Sequence, residues 1–570
     1  MCTIHIGLIQ TLYRFTRNVY WKIEKIRDTS ASSSYQPLHD PTNINMPLLD
    51  KFKLVSILDI LKIMNSLKAS TYLDDTCPAW FYKKHAVTLV ADITMLVNKC
   101  LAIGLMPTQL KHAIISPLLK KAGLDPANLN NFRPITSIPF LAKILERVVF
   151  DQLQHHMEID NLFHDTQSGF RPGRGTEVCA LAMRERLLMI KDAGGSAALV
   201  LLDLSAAFDT IDRDILTNRM EFLFGIKGKV LNWLKSFLSN HTHVVCLGDY
   251  RSLPRHLHCG VPQGSAISPL AFNCYMRPLP DIILKYGLEA QIYADDTQIL
   301  VDMASGTDMQ LKLQLCLAEI HQWMLSSRLG INTAKTEVLL IGKITPISPI
   351  SNWPISFGTT PTPAKKIKNL GVWFDSELTF IPHVLNIVKN ASYYLYFLRK
   401  LKNLFTEVNR KKLVQALILS RLYYLHFFLL NLPKKWIAKL QLVQNHAARL
   451  IKGLNHREHV TSSLREHHWL PIAKRAEFKA LCLVFKAYWS QGPMYLSSIV
   501  SHYTPKRSLR SANQNRLMPK PYNFAAAGGK TLQVFGVFLW NNLPESMRKI
   551  NSLTNFRKVL KTHLLSNVYE

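Results

Sequence analysis

Apolar residues along this chain keep two rhythms, and the rhythm changes at clusters of turn-forming residues. Leu141, Ile144, Leu145, Val148, Val149 and Leu153 recur every three to four positions, which is the spacing of one helix face. The same spacing predicts helices over 49–66, 87–105, 177–191, 213–238, 270–286 and 309–328, with three more between 383 and 454. Short apolar runs bounded by Gly, Pro, Asn or Asp predict strands over 112–119, 197–202, 244–247, 253–259, 337–341 and 368–374. The run 197–202 is apolar without interruption, as expected of a strand covered on both faces. Two half-strands, 291–293 and 297–301, flank the turn Tyr293-Ala294-Asp295-Asp296. Residues 125–139, 167–176 and 260–269 read as loops, 30–47 as a linker, and 456–570 as a mixed basic region richer in loops. No repeat of fixed period is visible.

A chain of 570 residues has room for three to five domains or subdomains. Its 48% hydrophobic and 19% charged residues suit a protein with a large core. Lys and Arg number 69 against 39 acids, a net charge of +30, and the excess is spread along the chain. That balance points to a polyanionic partner, nucleic acid first. The nine cysteines are odd in number and form no Cys-x-x-Cys. This predicts reduced thiols of the cytoplasm or nucleus, with no disulfide partner and no zinc ribbon. His456, His459, His467 and His468 lack ligand spacing and read as exposed histidines on a basic surface. The most apolar window, 413–432, carries Gln415, Arg421 and His426. It reads as a buried helix and predicts no membrane span. Residues 1–27 read as a basic amphipathic helix, a transit-like segment, or an arbitrary start within a longer frame.

Candidate chemistry centres on three carboxylates. Asp203 ends the run 197–202, and Asp295 and Asp296 occupy the later turn. Magnesium takes hard oxygen ligands, typically one or two carboxylates completed by substrate phosphates. Two such ions about 3.5–4 Å apart can clamp an in-line displacement. Asp also tolerates the backbone angles of a tight hairpin turn. Phe208 could fill the space a ribose 2′-hydroxyl needs, while Asp209 reads as a cap for the helix beginning near Asp212. Arg133 and Lys120 supply cations for a triphosphate. Gly260–Ser265, with Gln263 and Gly264, lets backbone approach a ligand closely. Lys335 could protonate a leaving pyrophosphate. Taken singly, each has an ordinary structural reading: a hairpin aspartate, a core Phe, a loop glycine, a surface Lys.

Taken in order, the segments LKHAIISPLLKKAGLDPANLNNFRPITSIPFLAKILERVV, QSGFRPGRGT, LVLLDLSAAFDTIDRDIL, GVPQGSAISPLAF, YADDTQI, LGINTAKTEVLLIG and KNLGVWFDS resemble the reverse transcriptases of non-LTR (LINE-type) retrotransposons. They look most like the vertebrate chicken-repeat and jockey-like branch. The resemblance implies an α+β right-hand polymerase with fingers, palm and a helical thumb. It implies RNA-directed DNA synthesis with two magnesium ions, an RNA template, a DNA primer and deoxynucleoside triphosphates. Asp203, Asp295 and Asp296 then match the catalytic aspartates, and Phe208 the ribose gate. Arg133 matches the triphosphate-binding Arg, Gln263-Gly264 the motif beside the nucleotide, and Lys335 the Lys of a later palm motif. Asn369-Leu370-Gly371 matches the primer-grip hairpin.

The expected organisation is a basic segment and linker over 1–48 and a helical extension of the fingers over 49–100. Fingers and palm follow over 101–376, a thumb over 377–455 and a basic region over 456–570. Two departures stand out. Only 111 residues precede the first fingers strand at His112, so the family's endonuclease is expected to be missing. Tyr423-Tyr424-Leu425-His426 replaces the usual Asp-Tyr-Cys-Asn, which reads as drift. The alternative expectation is an inactive remnant that binds nucleic acid without chemistry.

Overall fold

One mixed and one antiparallel sheet, with helices packed on them, carry several of the candidate residues on their strands and turns. The computed structural model describes residues 23–28 and 46–569, except 70–71, 73, 76, 122, 304–307, 343–362, 456 and 506–513. Most of the expected basic segment and linker lies outside the described residues.

The strands are β1 (His112–Leu119), β2 (Phe132–Ser137), β3 (Ala197–Leu202), β4 (Leu204–Ser205), β5 (Thr242–Leu247), β6 (Tyr250–Arg251) and β7 (Arg255–His256). They continue with β8 (Glu289–Tyr293), β9 (Asp296–Asp302), β10 (Gly330–Ile331), β11 (Glu337–Ile341), β12 (Lys366–Asn369) and β13 (Val372–Asp375). One sheet runs β2-β1-β5-β6, with β7 also on β5, and β1 and β5 are parallel. The other runs β11-β3-β9-β8, antiparallel throughout. Strand β3 is central there and buried on both faces. Ala198, Val200 and Leu202 enter one core with the helix Phe140–Ile159 and the helices between Arg213 and Leu238. Ala197 and Leu199 enter a second core with the helices Thr176–Asp192 and Ile381–Lys400. The uninterrupted apolar run follows from this double burial.

Several elements differ from the periodicity. The stretch 213–238 is two helices, Arg213–Phe224 and Gly228–Leu238, separated at Gly225, whose φ is +63°. The stretch 270–286 is also two, Ser268–Met276 and Leu279–Lys285, the second preceded by Pro278. The helix expected from 49 begins at Ile57, because Ser56 caps it through Asp59. The stretch 368–374 is the hairpin β12–β13. The window 413–432 is not one helix: a π-turn at Gln415–Leu419, a left-handed Leu425 and a 3₁₀ turn at His426–Leu429 interrupt it. Among the described residues one helix, Ala86–Ile103, is long and apolar enough to cross a membrane. Its Val90, Ile93, Val97 and Leu101 pack into the first core.

The region after 456 is mostly helical, with Thr461–Glu466, Ile472–Tyr488 and Leu553–Tyr569 among its helices. Leu481, Val484, Phe485, Trp540 and Phe556 share the second core with thumb-side residues such as Val384 and Ile418. Of the histidine group, His467 is 9% exposed, which corrects the reading of all four as surface residues. Its neighbour Trp469 is also buried, because the chain turns inward there.

Candidate active site

Strand pairing assembles the carboxylates. Leu202 of β3 lies opposite Thr297 of β9, so Asp203, one step on, faces the start of β9 at Asp296. Strands β8 and β9 close with Tyr293 opposite Asp296, leaving Ala294-Asp295 as a two-residue turn. The positive φ of that turn, +57°, falls on Ala294. The tolerance of Asp for such angles is therefore not called on at Asp295.

The three charges act on one another. Burial raises the Asp295 carboxyl above its ordinary value and the Asp203 charge adds to it, while Lys335 and Arg133 pull it back. Desolvation, then the charges of Asp295 and Asp203, pushes Asp296 up to about 6. The Asp296 side chain stays open to solvent, so screening weakens this repulsion. Lys335, in a 3₁₀ turn at Thr333–Lys335, donates to Asp203 Oδ2 at 2.7 Å. Asn332 N–H donates to the Asp203 carbonyl at 2.8 Å. The segment after β10 thus holds both ends of Asp203. Among the described residues no three His, Cys, Asp or Glu side chains are arranged to hold a metal ion by themselves. The donor set nonetheless suits a hard cation, since crowded carboxylates lack positive charge. The Lys335 ammonium supplies positive charge beside Asp203.

Arg133, exposed on β2, reaches Asp295 with its charge. Lys120 follows β1, and its backbone N–H donates to Asn131. Phe208 stacks on Phe272 at 4.7 Å and meets Phe170 edge-on at 6.3 Å. Gln263 donates to Asp209 Oδ1 at 2.8 Å, and its carbonyl accepts from Thr136 N–H at 2.9 Å. Gly264 has φ +128°, and a Cβ there would run into the Thr136 carbonyl oxygen, so the close approach requires glycine. The helix Arg213–Phe224 is capped by Asp212, which accepts from Asp214 N–H and Ile215 N–H. That corrects the reading of Asp209 as the cap: Asp209 holds Gln263 instead.

The hairpin β12–β13 turns through Leu370 and Gly371, both with positive φ, the form that matches strand twist. Asn369 Nδ2 donates to Gln298 Oε1 at 2.7 Å, both side chains buried. Gln298 lies two residues beyond Asp296 on β9, so this hairpin and the carboxylate turn share one strand. Tyr424 Oη donates to the Leu370 carbonyl at 2.8 Å.

Three supports escaped sequence reasoning. Ser168 N–H donates to the Ile292 carbonyl at 2.8 Å, and Ile292 N–H to Thr166, so the segment 166–169 pairs with β8. Gly169 sits against Ala294, where a Cβ would collide with the turn's backbone, and Asn273 Nδ2 donates to its carbonyl. The glycine in 167–176 was the available signal. Glu146 is a second case, an acid at a core position of a helix face. Tyr424 is the third: what read as drift at 423–426 includes a hydrogen bond to the hairpin.

Residues 119–374 match the family model described as reverse transcriptase (RNA-dependent DNA polymerase). The chain thus carries a reverse transcriptase domain over these residues and is similar to the RNA-directed DNA polymerases of non-LTR retrotransposons. It is 26% identical over 456 residues to a probable RNA-directed DNA polymerase from transposon BS of Drosophila melanogaster, covering 77% of this chain and 48% of that protein. It is 27% identical over 301 residues to the RNA-directed DNA polymerase from mobile element jockey of the same species, covering 52% of this chain and 32% of that protein. A Candida tropicalis apo telomerase structure aligns at a TM-score of 0.34 and 12% identity, over 54% of this chain and 61% of that one. The chain spans about half the length, or less, of the retrotransposon relatives it matches. Its fold is α+β, as the sequence implied.

Proposed function

We propose that this reverse transcriptase chain extends a DNA primer on an RNA template using deoxynucleoside triphosphates. The observation that carries the reading is the meeting of Asp203 with the Asp295-Asp296 turn across paired strands. Asp203, Asp295 and Asp296 would hold two divalent ions, magnesium by preference, together with the nucleotide's phosphate oxygens. When bound, the ions would supply charge to lower the primer hydroxyl's pKa and stabilise the leaving pyrophosphate. Arg133 and Lys120 bind the triphosphate. Phe208, fixed between Phe170 and Phe272, leaves no space for a 2′-hydroxyl. Gln263 and Gly264 shape the wall beside the nucleotide. Lys335, displaced from Asp203 as substrate arrives, donates a proton to pyrophosphate. Asn369, Leu370 and Gly371 hold the primer end.

In this reading the fingers and palm lie within 101–376, extended by helices over 49–100, and 377–455 is the thumb. Residues 456–570 brace the thumb and palm through the second core. The free cysteines, eight among the described residues, fit action in the cytoplasm or nucleus.

The test is primer extension on an RNA template with deoxy- and ribonucleotides in parallel. Asp295→Ala is expected to lower extension at least about a hundredfold with the unfolding temperature retained. Phe208→Ala is expected to admit ribonucleotides. Extension that survives Asp295→Ala removes the metal assignment. Salt-dependent binding with no extension under any divalent ion supports the binding-remnant reading instead.

A further inference from the structure

We propose that Glu146 is a positioning residue for nucleotide binding, acting through the loop that carries Gln263 and Gly264. The inference rests on the reading that this loop lines the nucleotide site. Glu146 lies on the helix Phe140–Ile159 and is 2% exposed. One of its oxygens, Oε2, accepts from Ser265 Oγ at 2.6 Å and from Ala266 N–H at 2.9 Å. Ser265 Oγ in turn accepts from Ile267 N–H at 3.1 Å. Ser268 Oγ donates to the Pro262 carbonyl at 2.8 Å, and Ser265 N–H donates to the same carbonyl. The segment 262–268 is therefore closed on itself and anchored to the helix behind it by a single carboxylate.

Away from that helix the same segment touches residues beside the proposed nucleotide site. The Gln263 carbonyl accepts from Thr136 on β2, the strand of Arg133, and its side chain donates to Asp209, next to Phe208. A change at Ser265 or Ala266 is thus passed to Gln263 two residues away. An ionised acceptor makes stronger hydrogen bonds than an amide, which gives a carboxylate a purpose at this buried place. The groups around it are few. Lys143, one turn earlier on its own helix, is the charged neighbour, and Asp75 acts on Lys143 in turn. The loop presents Ser265 and Ala266, neither charged. Burial pushes Glu146 up to about 7, against the pull of Ser265, Ala266 and Lys143.

The experiment compares the full chain with its Glu146→Gln, Ser265→Ala and doubly substituted variants on a primed RNA template between pH 6 and 8.5. Glu146→Gln is expected to raise the deoxynucleotide KM about tenfold and leave kcat within about twofold. The wild-type KM is expected to rise as pH falls through about 7, and the Glu146→Gln KM to stay flat. The double variant should be no worse than the poorer single one, because both act on the same bond. A folded pKa above the free value means ionisation of Glu146 costs stability as pH rises toward 7. Glu146→Gln should therefore unfold no earlier than wild type at pH 8, which separates positioning from support. Backbone amide exchange over 262–268, expected to be faster in Glu146→Gln, decides the matter without catalysis. An unchanged KM, or unchanged exchange, overturns the inference. A wild-type chain that fails to extend any primer counts against the proposed function, and the exchange result still judges Glu146.

Discussion

At the scale of single residues, the cluster of like charges is the central fact. Asp296 is raised to about 6 by desolvation and its two acidic neighbours. A raised carboxyl favours the folded state below its free value, near pH 4, and that advantage is lost as pH climbs to about 6. Asp296→Asn should therefore unfold at a higher temperature than wild type at pH 7 without divalent ions, while extension falls. Thermal scans at pH 4 and pH 7 check this, and the two proteins should converge at the acid end. Lys335 makes the complementary case. It neutralises Asp203 across 2.7 Å, so Lys335→Ala should lower the unfolding temperature without metal, and added magnesium should restore it. Its extension rate should drop by about a hundredfold or more if the ammonium is the general acid. An unchanged rate would leave Lys335 only an electrostatic place-holder.

At the scale of elements, two tight turns decide whether the side chains arrive. The carboxylate turn has its left-handed residue at Ala294, pressed against Gly169. Gly169→Ala should displace the turn and remove most extension, even though Gly169 carries no chemistry. Circular dichroism should show the fold retained. The β12–β13 turn depends on Tyr424, whose hydroxyl holds the Leu370 carbonyl. Tyr424→Phe should cost about 1 kcal/mol, read as shorter products per binding event and not as a lower rate of single additions. Equal product lengths would show that the hydrogen bond does not steady the hairpin.

At the scale of the whole molecule, the region after 456 packs into the same core as the helices before it. Asp192 ends the helix Thr176–Asp192, and its carboxylate accepts from the backbone N–H groups of Asn523, Phe524 and Gly528. Burial alone would raise this carboxyl, yet the three donors outweigh it and hold it below its ordinary value. Nearby, the buried pair Arg184–Glu185 reaches Lys530 and Leu532. Asp192→Ala should cost about 3 kcal/mol, since three donors lose their acceptor. Calorimetry should then separate a C-terminal transition from a body that otherwise unfolds as one. The stabilisation from a depressed carboxyl is present above its free value and fades as pH falls toward the folded one. The gap between wild type and Asp192→Ala should accordingly shrink in acid. A single transition in Asp192→Ala at the wild-type temperature would show that the contacts add nothing.

The order of motifs and the run of apolar strands were readable along the chain because they are local: Ala197–Leu202, Glu337–Ile341 and the Asp295-Asp296 turn each declare themselves within a few residues. The similarity to reverse transcriptases rested on the same stretches. What the chain order could not reveal were contacts between residues far apart in sequence. Asp203 meets Lys335 across 132 positions and Glu146 meets Ser265 across 119. Asp192 is capped from residues more than 300 positions away. Asp209 looked like a cap because Asp212 is close in sequence, but strand pairing and loop closure brought Gln263 to it instead. Local spacing determines which elements form; only their packing decides which charges meet, because Coulomb and hydrogen-bond energies depend on distance through space.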